Sequence, residues 1–104
     1  MPPSTPYPDL VLDAETRTIR VGRRTVVLTR TETAVLSYLW KNQGQVLSKR
    51  QILDHVWGAG RVGDNTLEVH VSALRHKLDD DAHEVLRPYR GLGYRLLLPP
   101  ATRA

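Results

Sequence analysis

The 104-residue chain has no cysteine. That excludes a disulfide framework and any thiolate metal site, and it fits a cytoplasmic setting. No apolar run approaches the roughly 20 residues that a membrane-spanning helix requires. The opening Met-Pro-Pro-Ser-Thr-Pro-Tyr-Pro has neither the basic start nor the apolar middle of a secretory signal. Clustered groups suited to general acid–base or nucleophilic catalysis are also missing. Asp79-Asp80-Asp81 reads as a solvated turn just past a helix end. The four histidines lack metal-ligand spacing, since His70 and His76 fall well apart around a helix. An enzyme is therefore not expected, and no metal or cofactor is implied. There is no internal repeat.

What is present is the composition of an ordinary soluble globule, 40% hydrophobic and 25% charged, with length for one core. The net charge of +4 favours an anionic partner, nucleic acid first. Residues 1–8 hold four of the seven prolines and read as a flexible linker or a remnant of a longer chain, with another domain expected before it. Residues 9–98 form the single expected domain, and 99–104 a disordered tail.

From Leu10 to Leu28 the pattern is that of strands. Leu10-Val11-Leu12 runs into a turn at Asp13-Ala14-Glu15, Thr16–Val21 alternates polar and apolar, Gly22-Arg23 suits a two-residue hairpin loop, and Thr25–Leu28 follows. The period then becomes helical. Thr29 with Glu32 matches a capping box, and Val35, Leu36, Leu39 and Trp40 form one apolar stripe before Gly44. Ser48 with Gln51 repeats the cap, Ile52, Leu53, Val56 and Trp57 repeat the stripe, and Gly58 ends it. Both tryptophans are assigned to the core. A third helix starts after a glycine-containing loop, capped by Asp64 or Asn65, with Asn65–Glu68 the better capping box.

In this third helix Leu67, Val71, Leu74 and Leu78 share one narrow sector, which must be buried. The opposite pole carries Asn65, Val69, Ser72 and His76, flanked by Thr66 and Ala73. Arg75 lies to one side, His70 and Lys77 to the other. Small residues let a backbone approach base edges. Val69 and Ala73 suit thymine methyls, and Asn65, Ser72 and His76 suit base edges or phosphate. Taken alone, such a face reads first as that of a solvated helix and only second as a DNA reader. The hairpin that follows shifts the balance. Val85–Tyr89 and Tyr94–Leu98 read as paired strands around Arg90-Gly91-Leu92-Gly93, with both glycines at positive-φ turn positions. Arg90 at its tip suits a narrow minor groove or a phosphate. Tyr94 reads first as a core tyrosine and second as a phosphate-bonding hydroxyl. Tyr89 reads as packing, and Pro88 fits only an edge strand.

Six pieces in this order resemble the effector domain of OmpR/PhoB-type response regulators. They are Leu28-Thr29-x-Thr31-Glu32, Gly44 to Leu53, Val56-Trp57-Gly58, Glu68–Val71, Leu74–Leu78 and Arg90-Gly91-x-Gly93-Tyr94-Arg95. The likeness covers roughly residues 9–98. It implies an α+β winged helix-turn-helix: an N-terminal antiparallel β-sheet, three helices and a C-terminal β-hairpin wing. It further implies a transcription regulator of a two-component phosphorelay, with the third helix in the major groove of double-stranded DNA and the wing in the minor groove. An upstream receiver domain outside this chain, head-to-tail pairing with a second copy on direct repeats, and contact with RNA polymerase through the Trp57–Asp64 loop are implied as well. The contact residues carried over are Asn65, Thr66, Val69, His70, Ser72, Ala73, Arg75, His76, Arg90 and Tyr94. Ser72 and Ala73 stand where the family often has arginine, so modest affinity is expected for one isolated domain. The alternative is a winged-helix protein-interaction module that does not bind DNA.

Overall fold

The computed structural model describes residues 9–63 and 65–98. The proline-rich segment 1–8 and the tail 99–104, read above as linker and disordered tail, lie outside them, as does Asp64. The chain opens with a meander of three antiparallel strands in the order β1 (Leu10–Asp13), β2 (Thr18–Val21), β3 (Arg24–Val27). Val21 pairs with Arg24, so Gly22-Arg23 is the two-residue loop expected, with Gly22 at φ 62°. Alternation sends Leu10, Ile19 and Val21 inward and leaves Val11, Arg20 and Val27 outside.

Helix α1 (Arg30–Lys41) starts on the full Thr29/Glu32 capping box, and α2 (Lys49–Trp57) on the Ser48/Gln51 box. Each box satisfies two helix-end donors with side chains three positions apart, which is why both starts are legible locally. Gly58, at φ 98°, caps α2, whereas α1 ends at Asn42, two residues before Gly44. The amide of Gly44 instead donates to Leu96 O at 2.9 Å and ties that loop to the last strand. Helix α3 (Asn65–Lys77) begins with Asn65 already inside it. Asn65 is therefore not the cap, and Glu68 pairs with Lys49 of α2 rather than closing a capping box.

A second sheet has the order β4 (Leu47–Ser48), β6 (Gly93–Leu96), β5 (Leu86–Tyr89). The two-residue β4 was not expected. Tyr89 pairs with Gly93, leaving Arg90-Gly91-Leu92 as a three-residue tip. Only Gly91 has positive φ, at 74°. Gly93 serves a different need: a Cβ there would lie 1.9 Å from Leu47 O, so glycine permits the close approach of β6 to β4.

The core is aliphatic. Helix α1 packs on α2, α3 and β6, and Ile19, Leu36, Leu39, Ile52, Leu53, Leu67, Leu74, Leu78 and Leu96 are all sealed from solvent. Trp40 and Trp57 sit half-buried at its margin, not within it, because Val35, Leu36, Ile52 and Leu53 already fill the centre.

The turn after α3 overturns the expectation of a solvated acidic tract. Asp80 is 0% exposed. Its Oδ1 accepts the amides of Glu84 and Val85 at 2.9 and 3.0 Å, and its Oδ2 accepts that of Leu86 at 2.7 Å. Asp79 pairs with Arg24 at 2.5 Å. Buried carboxylates persist when hydrogen bonds replace hydration, and three amide donors do so here. Asp80→Ala strands those donors and should cost about 3 kcal/mol in urea unfolding; a loss below about 1 kcal/mol would contradict this role.

A second buried carboxylate braces α3. Glu32, 4% exposed, accepts Lys77 Nζ at 2.5 Å and the Thr29 amide at 2.9 Å. Burial pushes its pKa up, but hydrogen bonds from Lys77 and Thr29 and the lysine charge outweigh that and hold it below the ordinary 4.5. With the folded value below the unfolded one, the contribution is complete above pH 4.5 and drains away as pH falls through the folded value. Glu32→Gln should therefore be less stable than the wild type at neutral pH, and the gap should close on acidification. A gap that stays constant in pH-dependent urea melts argues against the pair.

Candidate nucleic-acid interface

The apolar stripe of α3 is what creates the candidate face. Leu67, Val71 and Leu74 are buried, as is Leu78 just past the helix end, and this fixes the rotation of α3 about its axis. Asn65, Val69, Ser72 and His76 therefore point to solvent, and Val69 is 70% exposed, the largest value among the exposed apolar side chains. Thr66 and Ala73 are half-buried flanks, and the amide of Thr66 donates to Gly63 O. His70 leans on Trp57 of α2, ring centroids 5.4 Å apart.

The flanking cations behave differently from their position on the helical wheel. Arg75 donates from Nε and Nη2 to Leu86 O at 3.1 and 2.8 Å, and its guanidinium lies 5.7 Å from the centre of the Tyr94 ring. Lys77 donates to Val27 O at 3.1 Å as well as to Glu32. Both charges thus lock α3 to its neighbours. No periodicity argument reveals this, because the partners lie 11, 45 and 50 residues away. Tyr94 is 6% exposed; burial pushes its hydroxyl pKa up and the nearby Glu68 charge adds to the effect, with Lys49 and Arg75 opposing. Its ring is core, so any contact it makes runs through the hydroxyl.

Underneath α3 the pair Lys49–Glu68 joins the two helices. The hydrogen bond from Lys49 holds the Glu68 carboxyl below its usual range against the cost of burial. The hairpin tip is anchored at the same place. The Lys49 amide donates to Leu92 O at 3.4 Å, while Gly93 abuts Leu47 and Ser48. Arg90 is exposed on that tip. Arg95, in contrast, packs its guanidinium 5.2 Å from the centre of the Tyr89 ring. The α2–α3 loop is also ordered by side chains. Asp54 Oδ1 accepts Arg50 Nε at 2.9 Å and the Gly60 amide at 3.2 Å, and Arg50 reaches Val62 O.

A three-stranded meander, a three-helix core and a β5–β6 hairpin paired to β4 through β6 define a winged-helix domain. Residues 22–96 match the model of the family described as "Transcriptional regulatory protein, C terminal". The sensory transduction protein RegX3 of Mycobacterium tuberculosis is 46% identical over 88 residues, covering 82% of this chain and 39% of RegX3. Among solved structures, the DNA-binding domain of CpxR from E. coli superposes with TM-score 0.74 at 32% identity, over 93% of this chain and 98% of that one. The Klebsiella pneumoniae RstA DNA-binding domain, solved in complex with the RstA box, gives TM-score 0.76 at 26% identity, over 89% and 95%. The chain belongs to the family of C-terminal domains of transcriptional regulatory proteins, of the OmpR/PhoB type. That is a class of regulators and not of enzymes. The chain spans about two-fifths of the length of RegX3. No helix among the described residues is long and apolar enough to cross a membrane.

Two substitutions separate the outward face from the inward one. Val69→Glu should leave the melting temperature within a degree or two, whereas Arg75→Ala should lower it by roughly 5–10 °C by stranding a buried carbonyl. Thermal melts showing the reverse order would mean that the two faces are misassigned.

Proposed function

We propose that this domain binds double-stranded DNA sequence-specifically and regulates transcription as the output half of a two-component response regulator. Helix α3 enters the major groove and the β5–β6 tip follows the adjacent minor groove. The observation that carries this reading is the orientation of α3: its leucine–valine stripe is buried, and Asn65, Val69, Ser72 and His76 face outward. Such a face offers short polar groups for base edges and a valine for a thymine methyl. RstA, in the same fold, was solved with its DNA box.

Around that helix, Thr66, His70 and Ala73 form the flanks of the contact, Arg90 supplies a cation to the minor groove or its phosphates, and Tyr94 contributes through its hydroxyl. Arg75 acts mainly by fixing α3 against β5. In the full regulator a receiver domain precedes this one, two copies sit head-to-tail on direct repeats, and the Trp57–Asp64 loop meets RNA polymerase. The setting is the cytoplasm, where such DNA lies.

One observation favours a protein-interaction module instead: Arg75 and Lys77 are both committed inward, leaving the outward face of α3 poor in fixed cations. Salt separates the two readings. Phosphate contacts release counterions, so log affinity for DNA falls linearly with log salt at about 0.9 per contact. Arg90→Ala should weaken binding to all sequences and flatten that slope by about one. Sites selected from random duplexes and titrated by fluorescence anisotropy provide the measurement. Absence of binding to any duplex even at minimal ionic strength would leave the protein-partner reading standing.

A further inference from the structure

A phosphate strand separates each major groove from the minor groove beside it. A helix in one and a hairpin tip in the other must therefore straddle that strand. In this fold the ground between α3 and the tip is held by Lys49 and Glu68. The Lys49 amide donates to Leu92 O of the tip at 3.4 Å, and its ammonium pairs with Glu68 Oε2 of α3. Both side chains remain open to solvent, 43% and 41% exposed. Glu68 stands one turn from Asn65 and Ser72 of the outward face. It is also in line with Arg75, which meets Leu86 and Tyr94 of the hairpin. The charges of Glu68, Lys49 and Arg75 all act on the Tyr94 hydroxyl, so the three converge on one spot.

We propose that Glu68 is an electrostatic brake on DNA binding: it claims the Lys49 ammonium, which would otherwise neutralise a backbone phosphate between α3 and the hairpin tip. The inference rests on the DNA-binding reading above and names a cation and an opposing carboxylate at its seam. Arg75 and Lys77 are spent on the carbonyls of Leu86 and Val27. Lys49 is held instead by a half-exposed side-chain carboxylate. That carboxylate is poorly satisfied in return, since Glu68 Oε1 is buried and receives no hydrogen bond from a neighbouring residue. The charges are fixed ones. The hydrogen bond from Lys49 holds the Glu68 carboxyl below its ordinary range, so it is ionised at neutral pH. In the wild type the pair presents no net charge to the phosphate, and no counterion is released there. With Glu68 made neutral, Lys49 meets that phosphate with its full charge.

The test uses this chain and two fluorescein-labelled duplexes, one selected from random sequence and one of mixed sequence. Both are titrated by anisotropy between about 50 and 200 mM salt, with circular dichroism verifying the fold of each variant. Glu68→Gln should bind both duplexes about fivefold more tightly at the low-salt end, with a log–log salt slope steeper by about one. Equal tightening on the two is the mark of a phosphate contact, which is blind to sequence. Lys49→Gln should weaken binding about fivefold, and Lys49→Gln/Glu68→Gln should return it to within about twofold of the wild type. That rescue reads the same carboxylate even where Glu68→Gln alone fails to fold. Unchanged or weaker binding by a folded Glu68→Gln overturns the brake, as does a double variant no tighter than Lys49→Gln; either result leaves DNA binding intact. Absence of DNA binding by the wild type and every variant at low salt overturns this inference together with the reading beneath it.

Discussion

The rest of the molecule depends on the burial of one apolar stripe. Leu67, Val71, Leu74 and Leu78 have at most 1% of their surface exposed, and no rotation of α3 other than the observed one seals all four. Each leucine or valine withdrawn from water contributes roughly 1.5–3 kcal/mol, so a helix turned by even one residue position gives up several. That penalty sets which residues face outward, and it does so without reference to any ligand. The candidate interface is the complement of the core.

Charge then stiffens what packing has oriented. Arg75 grips the carbonyl of Leu86, Lys77 grips Glu32 and Val27 O, Glu68 meets Lys49, and Asp80 gathers three amides of the chain entering β5. The partners of α3 are thus β5, α1, β3 and α2, one on each side. Buried or half-buried pairs of this kind are a weak source of net stability, but breaking one is costly, which makes them good fixings. The same economy leaves the outward face with short polar side chains, a valine and histidines. A duplex approaching α3 meets shape and hydrogen-bonding groups there, with the exposed Arg90 cation carried on the hairpin.

Local sequence carried much of this fold. Two capping boxes marked α1 and α2 because all of their partners lie within three residues, and the 3.6-residue period of α3 gave its buried side directly. The Gly22-Arg23 loop was legible from turn chemistry. What was not legible is non-local. β4 has two residues and exists only because Leu47 meets Tyr94, 47 positions later. Gly93 looked like a turn glycine and is instead a contact glycine, a distinction set by the backbone of Leu47. The acidic run 79–81 looked solvated, yet its middle residue is buried, because the chain doubles back over Asp80 within six residues. For the candidate site, the wheel assigned the face but not the allegiance of its flanking cations.

The central claim is that the face opposite the leucine stripe meets the duplex. Titration of the ¹⁵N-labelled domain with a selected duplex, followed by amide chemical shifts, tests it most directly. The account predicts the largest changes at Val69, Ser72, His76 and Arg90, with the strands of the N-terminal meander little affected. Changes concentrated in that meander, with α3 silent, would contradict it.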